Sequence, residues 1–171
     1  MKNKKILWTI RIILSLLTVT CAVTIFCFSA QTVTESKQTS NAVVDRVIEN
    51  QHPDYASLPK SEQISISYYT EINIRTYAHM LIYCALGGLL FLTLVSFNIN
   101  ALLSSIITLA SAFIYALSDE WHQTFVEGRT GSMSDVAKDT VGIICGIAVC
   151  TLVYMALTYI THKKLKSVSE Q

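Results

Sequence analysis

Four apolar runs leave this chain little choice of fold. Ile6 to Ala30, Tyr77 to Phe97, Ala101 to Leu117 and Val141 to Ile160 each reach or approach the roughly 17–25 residues that a helix needs to cross a bilayer. Inside hydrocarbon every backbone N–H and C=O must be paired within its own segment, so such runs fold as helices. Arg11 is the one charge within the first run, and it lies close enough to the start for its side chain to reach the interface. The chain is 51% hydrophobic and 15% charged, against about 25% charged residues in soluble domains. The expected fold is therefore all-α: a polytopic membrane protein with four transmembrane helices, forming a single membrane domain over residues 1–171. The lipid bilayer is its first partner. A net charge of +1 gives no electrostatic reason to expect nucleic acid.

The first run is too long for the 7–15-residue core of a cleaved signal, and Phe28 stands where a cut after Ala30 would need a small residue. It reads as a retained anchor. Asn98-Ile99-Asn100 is all that separates the second run from the third, which makes those helices an antiparallel hairpin. Lys2, Lys4, Lys5 and Arg11 lie at one end of the chain and His162, Lys163, Lys164 and Lys166 at the other. With four spans both ends share a side, and the excess of basic residues marks that side as cytoplasmic. Residues 31–76 then form an external, partly helical segment, with Ser40-Asn41 as a cap before Val43, Val44, Val47 and Ile48 at helical spacing. The five cysteines all fall in the spans without metal-ligand spacing and read as small packing residues.

Chemistry concentrates between Ser118 and Gly142, where seven charged residues crowd a glycine turn between two spans. Charge beside a bilayer is costly unless it is solvated, paired or used. At about 100° per residue Asp119 and Gln123 share a helix face with Ala112 and Ala116, and Asp135 and Asp139 share one with Gly142 and Gly146. Small residues below the acids allow a neighbouring helix to come close, so the acids face a helix contact rather than lipid. Arg75 and His79, spaced i,i+4, stand at the external end of the second span, and Gln31 at the exit of the first. All four spans thus bring polar groups to one external level, and the candidate pocket comprises Asp119, Glu120, Gln123, Arg129, Asp135, Asp139, His79, Arg75 and Gln31.

Three chemistries fit these residues. Arg75 and Arg129 can neutralise Asp119, Asp135 or Asp139 in a network that only pins the helices. Asp119, Glu120, His122 and His79 have metal-ligand types, but no HxxxH or DxxxD pair with a third ligand at established spacing is present, and His122 lies about 60° round the helix from Asp119, so no metal is assigned. Arg75, Arg129 and the free amides after the glycine turn can bind the phosphate of an extracytoplasmic lipid. No GxSxG or other nucleophile motif occurs, and Ser29, Ser132 and Ser134 read as caps or turn residues. Enzyme status is open on these residues, and no motif names a cofactor.

The chain resembles the VanZ-like family of bacterial membrane proteins over nearly its whole length. Phe28-Ser29-Ala30-Gln31 is similar to the family's FSxQ segment, and Arg75 with Ala78-His79-Met80 and Tyr83 to its R-x-x-A-H-[FM]-x-x-Y segment. Asp119-Glu120-x-x-Gln123-x-Phe125-x-x-x-Arg129, followed by Asp135 and Gly142, is similar to DExxQxFxxxR…DxxxNxxG. Thr76 replaces a frequent lysine, Ile82 a frequent glutamate and Asp139 the usual asparagine. The resemblance implies a four-helix protein of the bacterial cell membrane linked to reduced susceptibility to glycopeptide antibiotics, teicoplanin above all. Its implied partner is a lipid-linked or peptidoglycan-related envelope ligand, and the alternative is a membrane-embedded enzyme acting on such an intermediate.

Overall fold

A computed structural model describes residues 2–169, without the side chains of residues 2, 3, 164, 165 and 167–169. The side chains of Lys2 and Lys164, both counted for orientation, therefore lie outside the described residues. The fold is all-helical: α1 (Lys2–Ser29), α2 (Val33–Gln51), a short 3-10 turn (Tyr55–Ser57), α3 (Lys60–Ser96), α4 (Ala101–Gln123) and α5 (Met133–Ser169). Among the described residues, α1, α3, α4 and α5 are long and apolar enough to cross a membrane. The chain is a multi-pass membrane protein. Its many exposed large apolar side chains, Leu16, Leu81, Leu102 and Leu152 among them, face the lipid that such a helix requires.

Helix α3 is the hub, packing on α1, α2, α4 and most extensively on α5. Glycine makes the α3–α5 contact close. A Cβ on Gly142 would strike the Met80 carbonyl, one on Gly146 the Cys84 carbonyl, and one on Gly87 would lie 2.7 Å from the Ile143 oxygen. In lipid, where helix association depends on packing rather than on expelling water, this backbone approach is a main source of cohesion. On α4, Ser104, Thr108, Ala112, Ala116, Asp119 and Gln123 form one buried stripe at steps of three and four residues. Small residues therefore carry the same face from the apolar core up to the acids.

The helix ends follow local chemistry. Asn98 takes the left-handed conformation (φ 64°) that ends α3, and the Asn100 side chain caps α4 by accepting from the Leu103 N–H at 2.9 Å. Arg11 donates from Nε to the Ser96 carbonyl at 2.8 Å and lies over the Trp8 and Phe97 rings, fastening α1 to the end of α3. The start expected for the helix between the first two spans is corrected. α2 begins at Val33, not after Ser40, because Thr32 and Glu35 form a reciprocal capping box. Val44 and Ile48 of α2 are buried while Val43 is exposed, so the helix packs on its own protein, against α3. α3 in turn continues nearly five turns N-terminal to the apolar run that starts at Tyr77.

Candidate functional site

The C-terminal end of α1, the middle of α3, the C-terminal end of α4 and the start of α5 meet at one level. There Ser29, fully buried, donates from Oγ to Asp119 Oδ2 at 2.7 Å. The Gln123 amide reaches Asp119 Oδ2 and Glu120 Oε1 at 3.3 Å and Ser29 Oγ at 3.4 Å. Its oxygen accepts from Arg129 Nη1 at 3.3 Å, and Arg129 Nη2 donates to the Phe28 carbonyl at 3.3 Å. Glu120 Oε2 accepts from the Ser132 N–H at 2.8 Å, tying the end of α4 to the start of α5 across the turn. This knot orients Asp119, Glu120, Gln123 and Arg129 through bonds from two other segments, the end of α1 and the approach to α5.

The turn between α4 and α5 is shaped for this. Gly128 has φ 76°, a conformation that L side chains rarely adopt, and a Cβ on Gly131 would collide with the Glu120 carbonyl. Ser132 is the cap of α5: its Oγ accepts from the Ser134 N–H at 3.2 Å.

Beside the knot lies a cavity of about 580 Å³, opening between α2, α3 and α5, whose charged lining is Lys37, Glu71, Arg75, Glu120, Arg129, Asp135, Lys138 and Asp139, with His79 and Gln123. The lysines are paired within it, Lys138 with Asp135 at 2.7 Å and Lys37 with Glu71 at 3.6 Å. The arginines are not: among the described residues, no carboxylate lies within 4.0 Å of Arg75 or Arg129. The first of the three chemistries, direct pairing of Asp119, Asp135 or Asp139 with these arginines, is therefore not what the described residues form. Arg129 spends its donors on an amide and a carbonyl, and Lys138 is the partner of Asp135. Burial first, and then the repulsion of Arg75, hold the Arg129 guanidinium below its ordinary pKa, with Asp119 and Glu120 acting the other way.

Asp139, only 1% exposed, faces His79 Nδ1 at 3.9 Å. That is beyond hydrogen-bond length, and the contact is an ion pair only when the imidazole carries its second proton. Asp139 Oδ2, Asp119 Oδ1, Tyr83 Oη and Arg129 Nε have no hydrogen-bond partner among the described residues, although all four are buried. Buried polar atoms without partners are uncommon and concentrate at sites that take a ligand or water.

Eight of the nine residues expected at the pocket meet here: Glu120, Gln123, Arg129, Asp135, Asp139, His79 and Arg75 line the cavity, and Asp119 stands in the knot behind it. Gln31 does not join them. It borders a separate recess with Cys27, Ala30, Glu35, Gln38 and Thr39. His122 also faces elsewhere, stacked on Phe26 with ring centroids 4.8 Å apart. Sequence reasoning missed Ser29, read as a cap, and the cavity's Lys37, Glu71 and Lys138. The i,i+4 step from Glu71 to Arg75 and the i,i+3 step from Asp135 to Lys138 were the available signals.

A model of the VanZ/LLP1 family matches residues 14–154, a span that contains the whole knot and every residue lining the cavity. No curated protein and no solved structure matches the chain.

Proposed function

The chain belongs to the VanZ/LLP1 family, and from that premise we propose that it lowers the susceptibility of a bacterial cell to glycopeptide antibiotics, teicoplanin above all, through a cavity on the outer face of the cell membrane. The observation that carries this reading is the convergence of all the spanning helices on one polar site, with a cavity that holds arginines lacking carboxylate partners and a buried acid, Asp139, whose Oδ2 lacks a donor, among the described residues. A scaffold that only pinned its helices would satisfy those groups among themselves. The cavity lies at the end opposite Lys4, Lys5 and Lys163, so the excess of basic residues supports an external cavity with both termini cytoplasmic. Its ligand is an envelope component, lipid-linked or peptidoglycan-related. Expression in a susceptible Gram-positive host tests the function: the teicoplanin inhibitory concentration rises while that of vancomycin does not. No rise with insertion confirmed would overturn it.

One observation favours a second reading, a membrane-embedded enzyme acting on a lipid-linked phosphate or other envelope intermediate. His79 and Asp139 stand 3.9 Å apart in the same cavity as the two arginines, an arrangement able to move a proton at a bound ester once a substrate closes the gap. Turnover of such a lipid would then vanish with His79→Gln while binding persisted. A pure binding protein shows no turnover in either form.

A further inference from the structure

The distribution of charge partners inside the cavity is uneven, and the unevenness has a chemical direction. Each lysine in the lining has an acid of its own, whereas Arg75 and Arg129 have none within 4.0 Å among the described residues. Arg129 is only 9% exposed, and its Nε is without a hydrogen-bond partner among those residues. Two guanidiniums lining one recess repel each other, and Asp119 and Glu120 favour the Arg129 charge through space without pairing with it. The fold nevertheless holds Arg129 in place through Gln123 Oε1 and the Phe28 carbonyl, neutral acceptors that fix its direction without cancelling its charge. What relieves such a pair is an oxyanion with several acceptor oxygens, the group that planar guanidinium forks recognise. A carboxylate offers two oxygens, and a phosphate offers three or more to be divided between two arginines approaching from different elements, one from α3 and one from the turn before α5.

We infer that Arg75 and Arg129 form a phosphate-binding subsite of the cavity, taking a terminal phosphate group, either inorganic phosphate free in solution or a phosphate monoester carried on a lipid. The inference rests on the cavity being a ligand site. It adds the chemical class of the ligand and the two residues that hold it. Arg75 is the positioning partner that can be removed safely, because it makes no hydrogen bond or ion pair with any described residue.

The test uses the full chain purified in a maltoside detergent, which contains no phosphate. Thermal unfolding is followed with added inorganic phosphate, pyrophosphate or dihexanoyl phosphatidic acid, against sodium chloride at matched ionic strength. A ligand bound only by the folded state raises Tm by mass action. Stabilisation by inorganic phosphate assigns the subsite to the free ion. Stabilisation by the short-chain lipid alone assigns it to a lipid-borne group. In either case Arg75→Gln, with a Tm in chloride no lower than that of the wild type, weakens the apparent affinity about 10- to 100-fold, the factor carried by lost hydrogen bonds to a charged group. Arg75→Lys restores part of it. The inference is overturned if none of the three probes shifts the wild-type Tm beyond the chloride control, or if Arg75→Gln responds as the wild type does. Teicoplanin protection without phosphate binding would sink this inference alone, and phosphate binding without protection would sink the proposed function alone.

Discussion

Ser29→Ala is the sharpest perturbation of the knot. The hydroxyl is fully buried and donates to Asp119 Oδ2 at 2.7 Å, the shortest of the bonds that hold this acid. The Gln123 amide remains, but at 3.3 Å. Alanine removes one oxygen and opens almost no cavity, so the cost is that of the hydrogen bond. Bonds to a charged group contribute about 1.5–3 kcal/mol, and Gln123 can recover only a fraction by tightening. For a chain of this size 1 kcal/mol moves Tm by about 2–4 °C, so the variant should melt about 3–12 °C below the wild type. The assay is thermal unfolding in detergent followed by the loss of helical circular dichroism. Asp119→Asn and the double variant complete a cycle, in which two residues in direct contact give a coupling well above the few tenths of a kcal/mol typical of distant sites. A Ser29→Ala variant within about 1 °C of the wild type, less than 1 kcal/mol is expected to move it, would refute the reasoning and return Ser29 to the reading of a cap or turn residue.

Gly146→Ala places a Cβ against the Cys84 carbonyl and the Gly88 nitrogen, both backbone; overpacking of about 1–3 kcal/mol should outweigh the roughly 1 kcal/mol gained in helix propensity and lower Tm. Asp139→Asn restores the residue usual in the family pattern at a site only 1% exposed and should raise Tm, because a neutral amide is buried at less cost than a carboxylate whose Oδ2 has no hydrogen-bond partner among the described residues. His122→Ala should cost about 0.5–1.5 kcal/mol of stability through the lost stacking on Phe26, measured by Tm, and leave ligand response unchanged. Glu35 is held below its ordinary pKa of 4.5 by the Thr32 backbone N–H and then its hydroxyl. Its contribution to α2 is therefore complete above about pH 4.5 and is lost as the pH falls through the lower folded value, which hydrogen exchange of the first-turn amides, corrected for intrinsic rates, should register.

The spans and the polar level were legible because two periodicities coincide there. Asp119 and Gln123 continue the small-residue stripe of α4, and Asp135 and Asp139 that of α5, so their direction followed from spacing alone. Partner choice did not follow. Arginine has a long side chain, and the turn containing Gly128 and Gly131 decides where Arg129 points; spacing suggested the acids, whereas the fold delivers it to Gln123 and the Phe28 carbonyl. Lys37 and Glu71 were not singled out in the sequence, because their proximity depends on α2 folding back along the extended start of α3. Gln31 shares its neighbourhood in the chain with Ser29, but it lies beyond the end of α1, where the chain turns toward the Thr32 cap and the side chain is carried away from the cluster.

The measurement that bears most directly on the account is the teicoplanin inhibitory concentration of a susceptible host carrying the wild type or Arg75→Gln, at equal membrane abundance and beside vancomycin. The account predicts a rise with the wild type that is lost with Arg75→Gln, and no change for vancomycin. Full protection by the inserted Arg75→Gln variant would contradict it, because the arginine subsite of the cavity would then have no part in the function.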